Sequence, residues 1–385
     1  MPEFKGNIRS KLPKAGTTIF SIMSGLANEV GAINLSQGFP GFPVSEKLIS
    51  LYHDALKAGH NQYAPMPGIF TLRECIAEKM EDLYSCIYDP ETEITITAGG
   101  TQALYTAISA LIHEGDEVIV LEPSYDSYVP AILLAGGIPV HIPLQPPNYF
   151  IPWEEIKKLI TQKTRMIIIN TPQNPTGTIL TAKDMLQLEK ITDGTDIIIL
   201  SDEVYEHIIF DGYEHQSVAR YPKLASRSMI VYSFGKTFHA TGWKVGYCLG
   251  PAHLMKEFRK VHQFTVFSVN TALQHALTAY MLNKENYMGL SEFYQEKRDY
   301  FQKLMKGSKF KILPCLGSYF QLLDYSSISK EKDTEYAIRL TKEIGVASIP
   351  VSVFYSVPHD YHLLRFCFAK ENEQLEKAAE RLLSI

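Results

Sequence analysis

The feature that most constrains the fold is an alternation of strand-length and helix-length segments. Apolar runs recur at EITITAG (93–99), DEVIVLEP (116–123), RMIIINTP (165–172), DIIILSDE (196–203) and SMIVYSFG (228–235), with KVGYCLG (244–250) as a further candidate. Several are apolar at odd and even positions alike, as a sheet covered on both faces demands. Between them lie helical patterns. TQALYTAISALI puts Leu104, Ala107, Ile108, Leu111 and Ile112 on one face at helical spacing. Such alternation predicts an α/β fold built on a mainly parallel sheet sandwiched by helices. Near residue 280 the texture changes to helices with a few short strands, SYFQLLDY (318–325) and HLLRFCFA (362–369) the clearest. The expected division is therefore an arm over 1–44 that joins the smaller part, a large domain over 45–280 and a small α+β domain over 281–385.

The polar residues of the large domain collect at the carboxyl ends of its strands: Gly99-Gly100-Thr101, Asn174-Pro175-Thr176-Gly177, Asp202-Glu203 and Ser233 to Lys236. In an open α/β sheet that rim binds ligands. Any one of these groups is an ordinary turn; four on one rim make a site. Gly235-Lys236-Thr237 has the look of a nucleotide phosphate loop, but the required first glycine would fall at Ile230, inside the apolar strand. A G-x-G-x-x-G dinucleotide fingerprint is also missing after the first strand.

Composition narrows the class further. A net charge of −5 over 385 residues, with no basic stripe, argues against nucleic acid as a partner. The five cysteines are scattered and form no C-x-x-C pair, which predicts reduced thiols and neither a disulfide framework nor a metal site. The segment MPEFKGNIRSKLPKAG lacks the apolar core of a secretory signal, and no apolar run reaches membrane-spanning length. A soluble cytoplasmic protein with no membrane partner is expected.

A lysine at the end of a buried strand is costly as a charge and, once neutral, is a nucleophile toward carbonyls. An exposed loop lysine is the plain alternative. SDEVYEHIIF followed by SFGKTFHATGWKVGY resembles the core of the class I, fold-type I aminotransferases, which use pyridoxal 5′-phosphate (PLP). NQYAPMPG, TAGGTQAL, NTPQNPTG and RFCFA occur in that family's order, and the likeness covers essentially the whole chain. SQGFPGFP, PSYDSY, HQFTVFSVNT and IPVSVF make the chain most similar to the kynurenine-aminotransferase-like branch, and there to bacterial methionine aminotransferases.

The resemblance implies a seven-stranded sheet, a homodimer with a shared active site, PLP as cofactor and a set of roles. Lys236 resembles the lysine that bonds the cofactor aldehyde and then moves the substrate proton. Asp202 matches the carboxylate beside the pyridine nitrogen, and Asn174 and Tyr205 match the donors to the phenolic oxygen. Tyr125 matches the ring that stacks on the cofactor. Gly100, Thr101 and Gln102 open the helix expected to receive the phosphate, a reading that also stands on the glycines and the helix dipole alone. Ser233 and Lys244 match further phosphate ligands, and Tyr63 matches a tyrosine reaching the phosphate of the neighbouring subunit. Arg365 resembles the arginine that binds the substrate carboxylate, with the Gly38 amide beside it; an arginine running its stem along an edge strand is the structural alternative. Phe20, Tyr63, Tyr125, Phe267 and Ser268 match the side-chain pocket.

Three positions depart from relatives: Lys244 where many carry arginine, Ser268 where kynurenine enzymes often carry histidine, and Thr101 where an aromatic is frequent. The expected activity is transfer of the amino group of methionine and aromatic amino acids to a 2-oxo acid by ping-pong chemistry. Aspartate should be a poor donor, since no arginine falls within HQFTVFSVNT. Carbon–sulfur β-elimination and kynurenine transamination are the alternatives. A PLP-binding regulatory module without turnover ranks last.

Overall fold

The computed structural model describes Pro2 and residues 5–385. Met1, Glu3 and Phe4, the start of the expected arm, lie outside the described residues. In chain order the strands are β1 (Ile33–Asn34), β2 (Ile94–Thr97), β3 (Glu117–Glu122), β4 (Ile138–Pro143), β5 (Thr164–Asn170), β6 (Ile198–Asp202), β7 (Ser228–Ser233), β8 (Gly246–Leu249), β9 (Lys311–Ile312), β10 (Phe320–Asp324), β11 (Val346–Ala347), β12 (Ile349–Pro350) and β13 (Leu363–Cys367).

Seven strands form the central sheet in the order β2-β8-β7-β6-β5-β3-β4. The pairs from β7 through β4 are parallel, while β8 runs antiparallel to both β7 and β2. The two-parity pattern has its physical cause in the packing. Ile119, Ile167, Ile169, Ile199 and Ile230 belong to one core. Their neighbours Val118, Val120, Met166, Ile168, Leu200, Met229 and Val231 belong to a second core on the opposite face. At about 2 kcal/mol for each buried aliphatic side chain, covering both faces is what holds a parallel sheet. Helix Gly100–Leu111 seals the second face with Ala103, Leu104, Ala107, Ile108 and Leu111.

β4 does not stand out in the sequence. It is the outer strand, half-exposed along much of its length and bearing Pro139 and Pro143. An edge strand tolerates proline because one of its sides needs no ladder donors.

The carboxyl-terminal part carries a four-stranded antiparallel sheet in the order β12-β13-β10-β9. The amino-terminal arm is tied to it. β1 pairs in parallel with β11, Cys367 N donates to Leu35 O at 2.8 Å, and Gly41 N donates to Ala369 O at 2.8 Å. Residues 36–40 are thereby laid over the carboxyl rim of the large sheet.

Candidate active site

β6 ends at Asp202, and the side chains beyond it diverge. Asp202 is 3 % exposed. Its Oδ2 accepts from the Tyr128 hydroxyl at 2.6 Å and its Oδ1 from Val204 N at 3.3 Å. Burial raises its pKa to about 6, against the opposing pull of those hydrogen bonds and of the Lys236 charge. Tyr205 is also buried, and desolvation pushes its pKa well above the ordinary tyrosine value. Asn170, at the end of the neighbouring β5, braces the rim: its Nδ2 donates to Asp202 O at 2.9 Å and its Oδ1 accepts from Asn174 N at 2.8 Å.

β7 delivers Lys236 to the same rim. Its Nζ donates to the Tyr319 hydroxyl at 2.9 Å and to Gly38 O at 3.1 Å. Burial lowers the amine's pKa to about 8, and the positive charges of Arg365 and Lys244 push the same way. A substantial neutral fraction therefore exists near pH 8, which an exposed lysine lacks.

Between β2 and its helix the chain turns at Gly99, whose φ is 82°. That conformation favours glycine, and a Cβ there would also lie 3.4 Å from Lys244 Nζ. Lys244 itself holds a left-handed backbone, φ 54°, uncommon for a residue with a side chain. The first helical amides, from Gly100 onward, have no carbonyl behind them. With Ser233 and Thr101 on the same wall, this is a positive, donor-rich concavity. Gln102 is the exception: its side chain turns away, accepting from Ala98 N and donating to Thr106 Oγ1. Any part it takes is limited to its backbone amide.

Arg365 comes from the middle strand pair of the smaller sheet and is 1 % exposed. The edge-strand alternative does not apply, since β10 and β12 flank it. Nη1 donates to Asn174 Oδ1 at 2.6 Å, Nη2 donates to Ser36 O at 2.9 Å, and Nε is buried without a partner. The guanidinium lies 3.9 Å from the Phe320 ring centroid and 5.2 Å from that of Phe20. Because Asn174 uses its carbonyl on Arg365, its amide nitrogen remains a donor toward the cavity.

These groups line one cavity of about 580 Å³. Of the residues singled out in the sequence, Phe20, Gly38, Gly100, Thr101, Tyr125, Asn174, Asp202, Tyr205, Ser233, Lys236, Lys244 and Arg365 meet there. Tyr63 and Phe267 do not. They pack edge-to-face at 5.2 Å on the outer surface, with Tyr63 82 % exposed, and Ser268 nearby bonds Ala64 O. Tyr128 and Tyr319 were missed in the sequence, where each reads as one more core tyrosine among 22. Only the spacing of PSYDSY, three residues after Tyr125, hints at the first.

Residues 30–382 match the family model for aminotransferase class I and II. The chain belongs to that family. It is 50% identical to methionine aminotransferase from Escherichia coli K12, over 97% of each chain. It is 33% identical to human kynurenine–oxoglutarate transaminase 1, over 93% of each. Among solved structures, an Escherichia coli protein with an identified methionine aminotransferase function superposes with a TM-score of 0.97 at 49% identity, covering 98% of this chain and 100% of that one. The protein is thus an aminotransferase enzyme of the fold-type I architecture, and PLP is its cofactor. The cavity fits that group on its own chemistry: a largely deprotonatable amine, a buried carboxylate and a cationic glycine cradle face one space. No described helix is long and apolar enough to cross a membrane, and the described residues contain no His/Cys/Asp/Glu cluster suited to a metal ion.

Proposed function

We propose that this aminotransferase takes methionine and aromatic amino acids as donors and a 2-oxo acid as acceptor, in a cytoplasmic homodimer. The observation that carries the substrate class is the cavity lining. Arg365 is its single arginine, and Phe20, Phe39, Leu104, Tyr125 and Phe320 line the same cavity. One guanidinium with an open Nε suits one carboxylate, and the apolar walls suit a side chain without charge. The relatives named above for methionine and kynurenine agree with that chemistry.

PLP, when bound, supplies the aldehyde that accepts the amino group and the ring that draws electrons from the substrate Cα. The chain's residues do the rest. Lys236 would hold the cofactor, and its free amine would take up and move the Cα proton, for which a pKa near 8 is suitable. Asp202, kept in place by Tyr128, pairs with the ring nitrogen. The free amide of Asn174 and the Tyr205 hydroxyl donate to the phenolic oxygen, and Tyr125 covers the ring. Ser233, Lys244, Thr101 and the first amides after Gly99 bind the phosphate. Arg365 and the Gly38 amide orient the substrate carboxylate, and the arm excludes water.

Residues 45–280 form the cofactor-binding unit in this reading, with 1–44 and 281–385 covering it. Tyr63 and Phe267 belong to the neighbouring subunit's cavity, which explains why an exposed aromatic pair sits on an otherwise polar turn. An amino-donor panel with several oxo acids tests the reading. Methionine and phenylalanine should lead; a larger specificity constant for aspartate would sink it. Keto acid should accumulate, whereas pyruvate with ammonia from cysteine conjugates would indicate β-elimination. Sedimentation equilibrium should report a dimer.

A further inference from the structure

Tyr319 lies just before β10, in a segment whose sequence marks only a strand. It is completely buried, packing edge-on against Tyr205 at 5.1 Å and Phe320 at 4.9 Å between ring centroids. Its hydroxyl donates to Gly38 O at 2.6 Å. That bond commits the one proton a neutral tyrosine has, so toward Lys236 Nζ, 2.9 Å away, Tyr319 can only accept. Gly38 O accepts a second bond from the same nitrogen at 3.1 Å. The arm, the lysine segment and the smaller sheet therefore meet around one nitrogen. The approach is close enough that a Cβ on Gly38 would come within 2.6 Å of Phe320.

We propose that Tyr319 is a positioning residue for Lys236, fixing the side on which its free amine presents its lone pair to the substrate proton. The inference rests on the role given to Lys236 above. A neutral amine has four tetrahedral directions: one to Cε, two to hydrogens and one to the lone pair. Tyr319 Oη and Gly38 O, themselves 2.6 Å apart, sit together on one side of Nζ and hold its N–H hydrogens there, while the stem holds another direction. The lone pair is left on the side away from that pair of acceptors. When it takes a proton from Cα, the new N–H forms on that side, because the acceptors continue to hold the other. A lysine stem with four rotatable carbons has no such constraint of its own. Tyr319 cannot itself protonate the amine, since its proton is held by Gly38 and burial keeps the phenol neutral.

Tyr319→Phe keeps the ring packing and removes only the hydroxyl. The PLP-loaded variant should show kcat lowered roughly 10–100-fold, the scale of a hydrogen bond to a charged group, with KM for the best donor little changed. The primary isotope effect with α-deuterated donor should rise, because proton transfer becomes more rate-limiting. A second readout needs no turnover. In cofactor-free protein, the pH midpoint for acetylation of Lys236 by acetic anhydride, followed by peptide mass spectrometry, should fall. The lost acceptor had favoured the ammonium form. Tyr319→His, which retains a ring and an acceptor nitrogen, should recover part of both effects and serves in place of the phenylalanine variant should that one not fold. A higher KM with an unchanged isotope effect and midpoint would overturn the proposal and leave Tyr319 as packing; wild-type values on all readouts would do the same. Lys236→Ala tests the underlying reading separately. The acetylation midpoint of Lys236 addresses Tyr319 whichever amino acid proves to be the donor.

Discussion

Two buried polar clusters share the short turn from Asp202 to Glu206, back to back across it. Asp202 and Tyr205 face the cavity, while Glu203 and Glu206 face a closed network on the other side. There, Glu203 accepts from Ser201 Oγ at 2.7 Å, Val218 N at 3.1 Å, Tyr232 OH at 2.8 Å and His215 at 2.9 Å. Glu206 is bonded by Tyr84 OH at 2.7 Å and by Lys79, which also donates to Tyr247 OH at 2.9 Å. Every carboxylate oxygen of that network has a protein partner, and Lys79 offsets one of the two carboxylate charges. On the cavity side, Arg365 Nε has no partner and Asn174 has an amide nitrogen to offer. Lys244 makes no ion pair among the described residues. The lesson is that burial alone does not mark a site. The closed network bonds every carboxylate oxygen internally and leaves only the ring nitrogens His207 Nε2 and His215 Nδ1 without a hydrogen bond, whereas the binding cluster holds a guanidinium nitrogen open for a ligand at a cost in stability.

The sharpest way to break this comparison is to remove a residue from each side. Lys236→Ala should lower turnover by roughly 10⁴-fold or more, since one side chain both carries the cofactor and moves the proton. Its melting temperature should change little; wild-type-like transamination in that variant would refute the assignment. Lys79→Met should do the reverse. Stranding Glu206 without its cation should cost about 3–5 kcal/mol of folding stability, read by urea denaturation, while the folded enzyme keeps most of its kcat. A collapse of kcat at unchanged stability would erase the distinction between the clusters.

Smaller changes sharpen it. Arg365→Lys keeps a charge but gives up the planar fork, so kcat/KM for methionine should fall about 100-fold, mainly through KM. Tyr128→Phe removes the 2.6 Å bond that opposes the burial-raised pKa of Asp202. The carboxylate then ionises less readily, and kcat should drop about tenfold with weaker PLP retention on dialysis. The smallest effect is one of pH. Because burial lowers the Lys236 pKa to about 8, its acetylation in cofactor-free protein should rise through that pH. Exposed lysines should rise only near pH 10.4, their ordinary value. A Lys236 midpoint equal to theirs would place the amine in open solvent.

Much of this was legible in the chain because the relevant signals are local. The six apolar runs became strands of the large sheet, since two-faced burial requires consecutive apolar residues. Rim motifs led to Gly100, Thr101, Asn174, Asp202, Ser233 and Lys236, because side chains at strand ends share a rim by topology, and the resemblance led to Phe20, Gly38, Tyr125, Tyr205, Lys244 and Arg365. β4 escaped notice because an edge strand needs little apolar surface. Gln102 stands in the helix turn expected to receive the phosphate, yet its side chain accepts from Ala98 N and turns away from the cavity. Tyr63 and Phe267 lie outside the cavity of their own chain; the resemblance implies as much for Tyr63, which it assigns to a neighbouring subunit, but not for Phe267.

By itself the sequence determined the layer architecture, the rim, the lysine and the family, all of which follow from periodicity and from ordered motifs. Only the tertiary structure showed that the Tyr128 and Tyr319 hydroxyls reach the site. Tyr128 and Tyr319 are chemically identical to the tyrosines of the closed network, and what separates them is the partner each hydroxyl finds: Asp202 for one, Gly38 and Lys236 for the other. Those partners lie 74, 281 and 83 positions away along the chain. A hydrogen bond is fixed by distance and direction in space, and the folding of three separated segments onto one rim sets both.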